Sequence, residues 1–276
     1  MHQRSFIKWV GGKYRSLSQI LSKFPTQFKT YYEPFMGSGV VFFNLRPVDA
    51  ILNDVEPSLV TTFRSVKREC ESVCEYLDGL SNDESTYYTV RSDFNDSGDV
   101  FPGKKAAQFI YMNKCGFNGL YRVNKSGAIN VAFGKRSGDP HKDFSTLREC
   151  SKRLQRVRVM NTTYKDVLDL SRSKDFVYLD PPYYKEFPNS FTGYNTNQFS
   201  EEDHERLALE CKFLTSRGVF FALSNSDTDF IRNLYKNYNI CPIYTNRTIS
   251  RDASGRGLVC EILITNYSLG NNEISC

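Results

Sequence analysis

The chain has few histidines, one tryptophan and no uninterrupted apolar run near the ~18 residues that a membrane-spanning helix requires. A helical membrane protein is therefore excluded, and the partner list is expected to contain no membrane. None of His2, His141 and His204 lies beside a serine, cysteine or carboxylate cluster of the kind that would suggest a nucleophilic triad or metal ligation. The cysteines contain no C-x-x-C pair, and Cys70 and Cys74 sit at helical spacing with no nearby histidine to complete a zinc site. They are expected to be reduced thiols, mostly in the core, and no metal is expected. No repeat, low-complexity tract or flexible linker is present, so a second domain would be inserted into the first and not strung after it. The opening residues MHQRSFIKWVGGK lack the apolar stretch of a signal peptide, so the protein is expected to be soluble and cytoplasmic.

What is present is an ordinary globular composition, 40% hydrophobic and 14% aromatic over 276 residues. A chain of this length buries roughly three quarters of the surface it exposes when unfolded, so neither disulfides nor structural metals are needed to hold a core. The net charge of +5 says little until it is located. Residues 1–30 carry Arg4, Lys8, Lys13, Arg15, Lys23 and Lys29 without a single acid. Residues 114–158 hold eleven Lys and Arg against Asp139, Asp143 and Glu149, interleaved with Phe117, Tyr121, Phe133 and Phe144. Such segments suit a surface that tracks phosphates and touches bases, and equally suit solvated helix and loop faces.

Apolar periodicity places strands and helices in alternation at both ends of the chain. TYYEPFMGSGVVFFNL reads as strand, glycine turn and helix, and AILNDVEP as a second strand ending at Asp54. Glu56 to Leu80 has long helical periodicity, and Ala106 to Met112 forms another helix. GFNGLYRVNKSGAINVAFG alternates like a hairpin with Lys125, Ser126 and Gly127 at its turn. From residue 155 the alternation resumes, with strands at Val157 to Met160 and Asp175 to Leu179, and a helix capped by Ser200 that ends before Gly218. VFFALSN is a further strand, and two terminal strands form an antiparallel pair joined by NRTISRDASGRG, whose Arg247, Arg251 and Arg256 are expected to contact phosphates. The fold class is α/β, with a mostly helical insert.

Two motifs carry chemistry. In FMGSG the glycines lie between a strand and a helix, where a ligand can approach the backbone. The motif departs from G-x-G-x-x-G, having Val40 and Val41 in place of the second half, which argues against a pyrophosphate-containing dinucleotide. Asp54 ends the next strand, where a carboxylate can accept both hydroxyls of a ribose. Gly37 and Asp54 therefore suit a nucleoside cofactor, the alternative being a packing turn and a helix-capping acid. The second motif, Asp180-Pro181-Pro182-Tyr183, follows the apolar strand FVYL, and its prolines stiffen the backbone at the sheet's carboxyl edge. The Asp180 carboxylate and the Pro181 carbonyl offer two acceptors for the hydrogens of an exocyclic amine, and Tyr183 offers a ring for a base to stack on. Such hydrogen bonds localise a conjugated lone pair and strengthen as charge grows on nitrogen.

FIKWVGGK, EPFMGSG, LNDVEP, GFNGLYRVNKSGAINVAFGK and DPPY, in this order, resemble the DNA adenine methylase (Dam) family over almost the whole chain. The resemblance implies a Rossmann-like methyltransferase sheet formed by 1–56 and 145–276, and an inserted, mostly helical target-recognition domain over 57–144 that carries a β-hairpin. It implies transfer of a methyl group from S-adenosyl-L-methionine to adenine N6 within GATC of double-stranded DNA, with the target base flipped out. Trp9, Lys13, Phe35, Gly37, Asp54 and Asp180 are implied to contact the cofactor. Asp180, Pro181, Pro182 and Tyr183 are implied to be catalytic, and Lys8, Phe117, Asn118, Leu120 and Arg122 to contact DNA. Phe117 replaces a tyrosine of relatives, and Ala132 a proline, both of which bear on the strictness of GATC choice. The same pocket chemistry would serve cytosine N4 or RNA, and a non-catalytic DNA-binding regulator could keep the fold. A nicotinamide-dependent oxidoreductase fits least. No obligatory protein partner is evident, and the resemblance places the protein with nucleoid DNA or in a phage of a bacterial host.

Overall fold

The computed structural model describes residues 2–96, 101–185, 199–246 and 258–268. Among them, strands β1 (Tyr31–Glu33), β2 (Ala50–Asn53), β3 (Val157–Met160), β4 (Phe176–Leu179), β5 (Phe220–Ser226), β6 (Asn239–Asn246) and β7 (Leu258–Thr265) form one sheet in the order β3-β2-β1-β4-β5-β7-β6. β4 runs parallel to β1, with Phe176 opposite Tyr31, and to β5, with Phe176 opposite Phe220. β7 is antiparallel to both neighbours and pairs Ile264 with Leu223 on one side and with Ile240 on the other. Every residue of β4 is buried, as a parallel strand covered on both faces requires. The fold is thus the expected α/β, Rossmann-like sheet. Its strand order reverses between β1 and β4, and in open α/β sheets the carboxyl ends at such a reversal are where ligands bind.

The chain divides into two compact units. One comprises Met1–Gly12, Met36–Arg46 and Leu52–Thr162, and the other Lys13–Phe35, Pro47–Ile51 and Thr163–Cys276.

In the first unit the helices are α2 (Val40–Leu45), α3 (Pro57–Asp78), α4 (Glu84–Asp96), α5 (Pro102–Cys115) and α6 (Phe144–Leu154), where α1 denotes the earlier helix Leu17–Leu21. α3 starts because the Glu56 side chain accepts the Ser58 N–H and Pro57 pre-sets the first turn. Its Leu59, Phe63, Val66, Val73 and Leu77 form the buried stripe that periodicity predicts, and the helix kinks at Glu69, where φ is −143° and ψ is 42°. α4 occupies the polar segment after Asn82, and its buried stripe of Tyr87, Val90 and Phe94 is too sparse for periodicity to reveal. α5 is buried on nearly every side and serves as the central helix of this unit.

The segment expected as a hairpin does reverse at Asn124 to Gly127, where the Gly127 N–H donates to the Asn124 carbonyl at 3.0 Å and Gly127 has φ of +81°. Its arms, however, meet only at isolated bridges, Gly116 with Phe133 and Val123 with Ile129, and not in a continuous ladder. Asn118 at φ +55° and Gly119 at φ +66° turn the first arm out of extended geometry, which interrupts the pairing.

In the second unit α7 (Tyr164–Leu170), α8 (Glu201–Ser216) and α9 (Asp229–Leu234) accompany α1. α8 begins with a capping box, in which the Ser200 hydroxyl accepts the Asp203 N–H and the Asp203 carboxylate accepts the Ser200 N–H. Gly218, at φ +69°, follows its end as expected. No helix of the described residues is long and apolar enough to cross a membrane. Arg247, Arg251 and Arg256 lie outside the described residues.

Candidate active site and nucleic-acid interface

In the second unit the segment Asp180-Pro181-Pro182-Tyr183 leaves the carboxyl end of β4, beside the strand-order reversal. A short 3-10 turn at Lys13–Arg15 brings Lys13 to it. The Lys13 side chain is only 6% exposed, and its Nζ lies 2.9 Å from Asp180 Oδ1 and 4.6 Å from the centre of the Tyr183 ring. One ammonium therefore pairs with the carboxylate and lies over the aromatic face. Burial pushes the Asp180 carboxyl up to about 6, against the pull of Lys13, and the Glu261 charge adds to the rise. The Tyr183 hydroxyl donates to Glu261 Oε2 at 3.0 Å, so β7 anchors the ring tip. The backbone beyond is tied to the end of β5: the Tyr184 N–H donates to Asn225 Oδ1 at 3.1 Å, and the Ser226 hydroxyl donates to the Tyr184 carbonyl at 2.8 Å. Glu261, Asn225 and Ser226 carry no motif that sequence could flag. Phe35, just past β1, stacks on Tyr164 with ring centres 5.4 Å apart and meets the Phe199 edge at 6.0 Å.

In the first unit Trp9, Gly37 and Asp54 come together. The Gly37 N–H donates to Asp54 Oδ2 at 3.0 Å, and the Glu56 N–H to Oδ1 at 3.1 Å. Burial raises the Asp54 pKa and these backbone donors oppose the rise. Each carboxylate oxygen keeps a further lone pair, which fits the paired hydroxyls of a ribose. Gly37 is required: its φ is +47°, and a Cβ there would lie 2.8 Å from Trp9 Cδ1. A flat indole beside a bare backbone and a dihydroxyl acceptor suits a nucleoside without a pyrophosphate.

The same unit holds the residues implied for DNA. Phe117, Asn118, Leu120 and Arg122 are exposed, Phe117 at 54% and Leu120 at 40%, an unusual concentration of side chains without a core to fill. Arg122 is steadied by Asn130, its Nε donating to Oδ1 at 2.7 Å and its Nη2 to the carbonyl at 3.0 Å. Lys8 is also exposed, with its pKa lowered by partial desolvation and by Arg136. Asn113 of α5, which no motif singles out, exchanges two hydrogen bonds of 2.8 Å with the Lys8 backbone and donates to the Gly119 carbonyl at 3.2 Å. This buried amide fixes Lys8 beside the exposed turn.

The family model for D12 class N6 adenine-specific DNA methyltransferase matches residues 9–249. The chain belongs to that family. The type II methyltransferase M1.LlaDCHI of Lactococcus lactis subsp. cremoris is 35% identical over 271 residues, covering 96% of this chain and 95% of that protein. The type II methyltransferase M.MjaIII of Methanocaldococcus jannaschii is also 35% identical, covering 97% and 100%. The DNA adenine methylase of Escherichia coli K12 is 32% identical, covering 94% of each chain. This D12 class methyltransferase is thus an enzyme of adenine-specific DNA methylation, and the oxidoreductase and regulator readings fall away.

Proposed function

We propose that this methyltransferase transfers the methyl group of S-adenosyl-L-methionine to adenine N6 within GATC of double-stranded DNA, in the cytoplasm of a bacterial host. The observation that carries the reading is the cluster of Lys13, Asp180 and Tyr183 at the carboxyl end of β4, with Lys13 buried. Residues 57–144 act as the inserted target-recognition domain, and 1–56 with 145–276 as the catalytic domain.

Lys8, Phe117, Asn118, Leu120 and Arg122 meet the duplex. Lysine and arginine suit the O6 and N7 acceptors of guanine in the major groove, and Leu120 suits a thymine methyl. The target adenine leaves the stack at a cost of a few kcal/mol. Tyr183, its hydroxyl held by Glu261, receives the flipped ring by stacking. The Asp180 carboxylate and the Pro181 carbonyl accept the two N6 hydrogens, which localises the nitrogen lone pair and stabilises the positive charge that grows there. Pro182 keeps the backbone of the motif stiff. Trp9, Lys13, Phe35, Gly37 and Asp54 hold the cofactor, with Asp54 on the ribose. When bound, S-adenosyl-L-methionine supplies an electrophilic methyl group on a sulfonium, so the protein needs no covalent intermediate and gains rate chiefly from alignment. The proton leaves N6 for solvent water after transfer, so Asp180 serves as a hydrogen-bond acceptor and need not be a strong base.

Expression in a host lacking its own adenine methylase, followed by modified-base sequencing, tests the reading. N6-methyladenine at GATC supports it. Methylation at another site would refute the target sequence alone, and unmodified DNA would refute the whole reading.

A further inference from the structure

Trp9 is the only tryptophan of the chain, and one face of its indole is covered by Tyr121, with ring centres 5.2 Å apart and planes inclined by 23°. The Trp9 edge lies against Gly37, whose N–H is held by Asp54. Tyr121 stands between Leu120 and Arg122, in the segment given above to base reading. Burial and the Glu56 carboxylate, at the start of the helix that follows Asp54, push its hydroxyl pKa up, and its ring also packs on Phe109 at 5.5 Å. A second tie runs through Asn113, which grips the backbone of Lys8, the neighbour of Trp9, and that of Gly119, the neighbour of Leu120. The indole that faces the nucleoside-binding residues and the segment that faces bases are therefore parts of one packed block. Closely packed interiors deform little, so a shift of the indole must be passed to Tyr121 and to the exposed side chains on either side of it.

We propose that Tyr121 is a positioning residue that couples cofactor binding to target-site binding: occupancy beside Trp9 sets the base-reading segment, and the target duplex in turn sets Trp9. This rests on the proposed function, because it takes Trp9 as a cofactor contact and Leu120 and Arg122 as base contacts. Linkage makes the coupling reciprocal. The factor by which a cofactor analogue tightens duplex binding must equal the factor by which the duplex tightens analogue binding.

The single tryptophan makes the test direct. Trp9 fluorescence reads the dissociation constant of the analogue sinefungin in the presence and absence of a GATC duplex. Anisotropy of a labelled duplex reads the DNA constant with and without sinefungin. For the wild-type chain we expect the two ratios to agree at about tenfold, within the usual range of coupling between sites. Tyr121→Phe, which keeps the ring and loses the hydroxyl, is expected to retain most of the coupling. Tyr121→Ala is expected to bring both ratios to within about twofold of one while sinefungin and DNA each still bind. Tyr121→Leu, which refills the volume without a stacking face, carries the same expectation if the alanine variant does not fold. A wild-type ratio of one, or an unchanged ratio in the alanine or leucine variant, would overturn the coupling. Failure of the wild-type chain to bind either sinefungin or the duplex would instead overturn the proposed function on which the coupling rests.

Discussion

Lys13 and Asp180, far apart in the chain, form an ion pair of 2.9 Å in which both side chains are largely buried. A buried pair is costly to assemble and costlier to break, because the survivor is left as an uncompensated charge. Its position at the carboxyl end of β4 ties that cost to chemistry, since the same carboxylate is the proposed acceptor of the adenine amine.

Asp180→Ala removes one of the two proposed acceptors of the amine hydrogens. Methyl transfer is expected to fall by roughly 10²- to 10³-fold, the typical effect of deleting a group that stabilises transition-state charge. DNA affinity by anisotropy should change little, because the proposed DNA contacts are made by other residues. Substantial turnover in a quantitative tritiated-methyl assay would remove Asp180 from its role.

The pH dependence follows from the same carboxyl. Asp180 titrates at about 6, raised chiefly by burial. In its proposed role it accepts the amine hydrogens only when ionised, so kcat/KM should fall as pH drops through about 6 and level off above it. Lys13 lowers this pKa, and Lys13→Met is expected to move the acid limb to higher pH whatever it does to the plateau. A limb that stays in place would show that another group governs it.

Glu261 holds the Tyr183 hydroxyl at 3.0 Å. Glu261→Leu frees the ring tip, and single-turnover methylation should slow by about tenfold with cofactor KM nearly unchanged. Tyr183→Phe should cost a similar factor, and the double variant should be little worse than either alone, since both changes delete one interaction. Multiplying losses in the double variant would mean that the residues act separately.

Arg122 is exposed and held by Asn130. Arg122→Ala should cost about 1–3 kcal/mol of discrimination at one base pair of the target, seen as turnover on sequences that differ from GATC at that position. Binding to unrelated duplex should weaken by only a small, salt-dependent amount. Uniform weakening on every sequence with discrimination intact would assign Arg122 to a phosphate.

By itself the amino-acid order determined the elements whose signals are local. The buried run of β4, the long stripe of α3, the capping box at Ser200 and the turn at Gly127 each depend on neighbours within a few residues. The placement of Asp54, Gly37 and DPPY just past strands was legible for the same reason, since a strand end followed by a turn is encoded contiguously. Helix α4 was not legible, because its three buried residues in thirteen leave the segment polar on average. The segment from Gly116 to Gly134 alternates like a hairpin, yet positive φ at Asn118 and Gly119 breaks its ladder, and a Cβ at Gly119 would lie 2.6 Å from the Lys8 side chain. Only tertiary structure could place Lys13 on Asp180, Glu261 on Tyr183, Asn113 between Lys8 and Gly119, and Tyr121 on Trp9. Each of these pairs joins residues whose separate neighbourhoods predict nothing about the other, and only the closing of the sheet and helices brings a charge, a hydroxyl, an amide or a ring within contact of its partner.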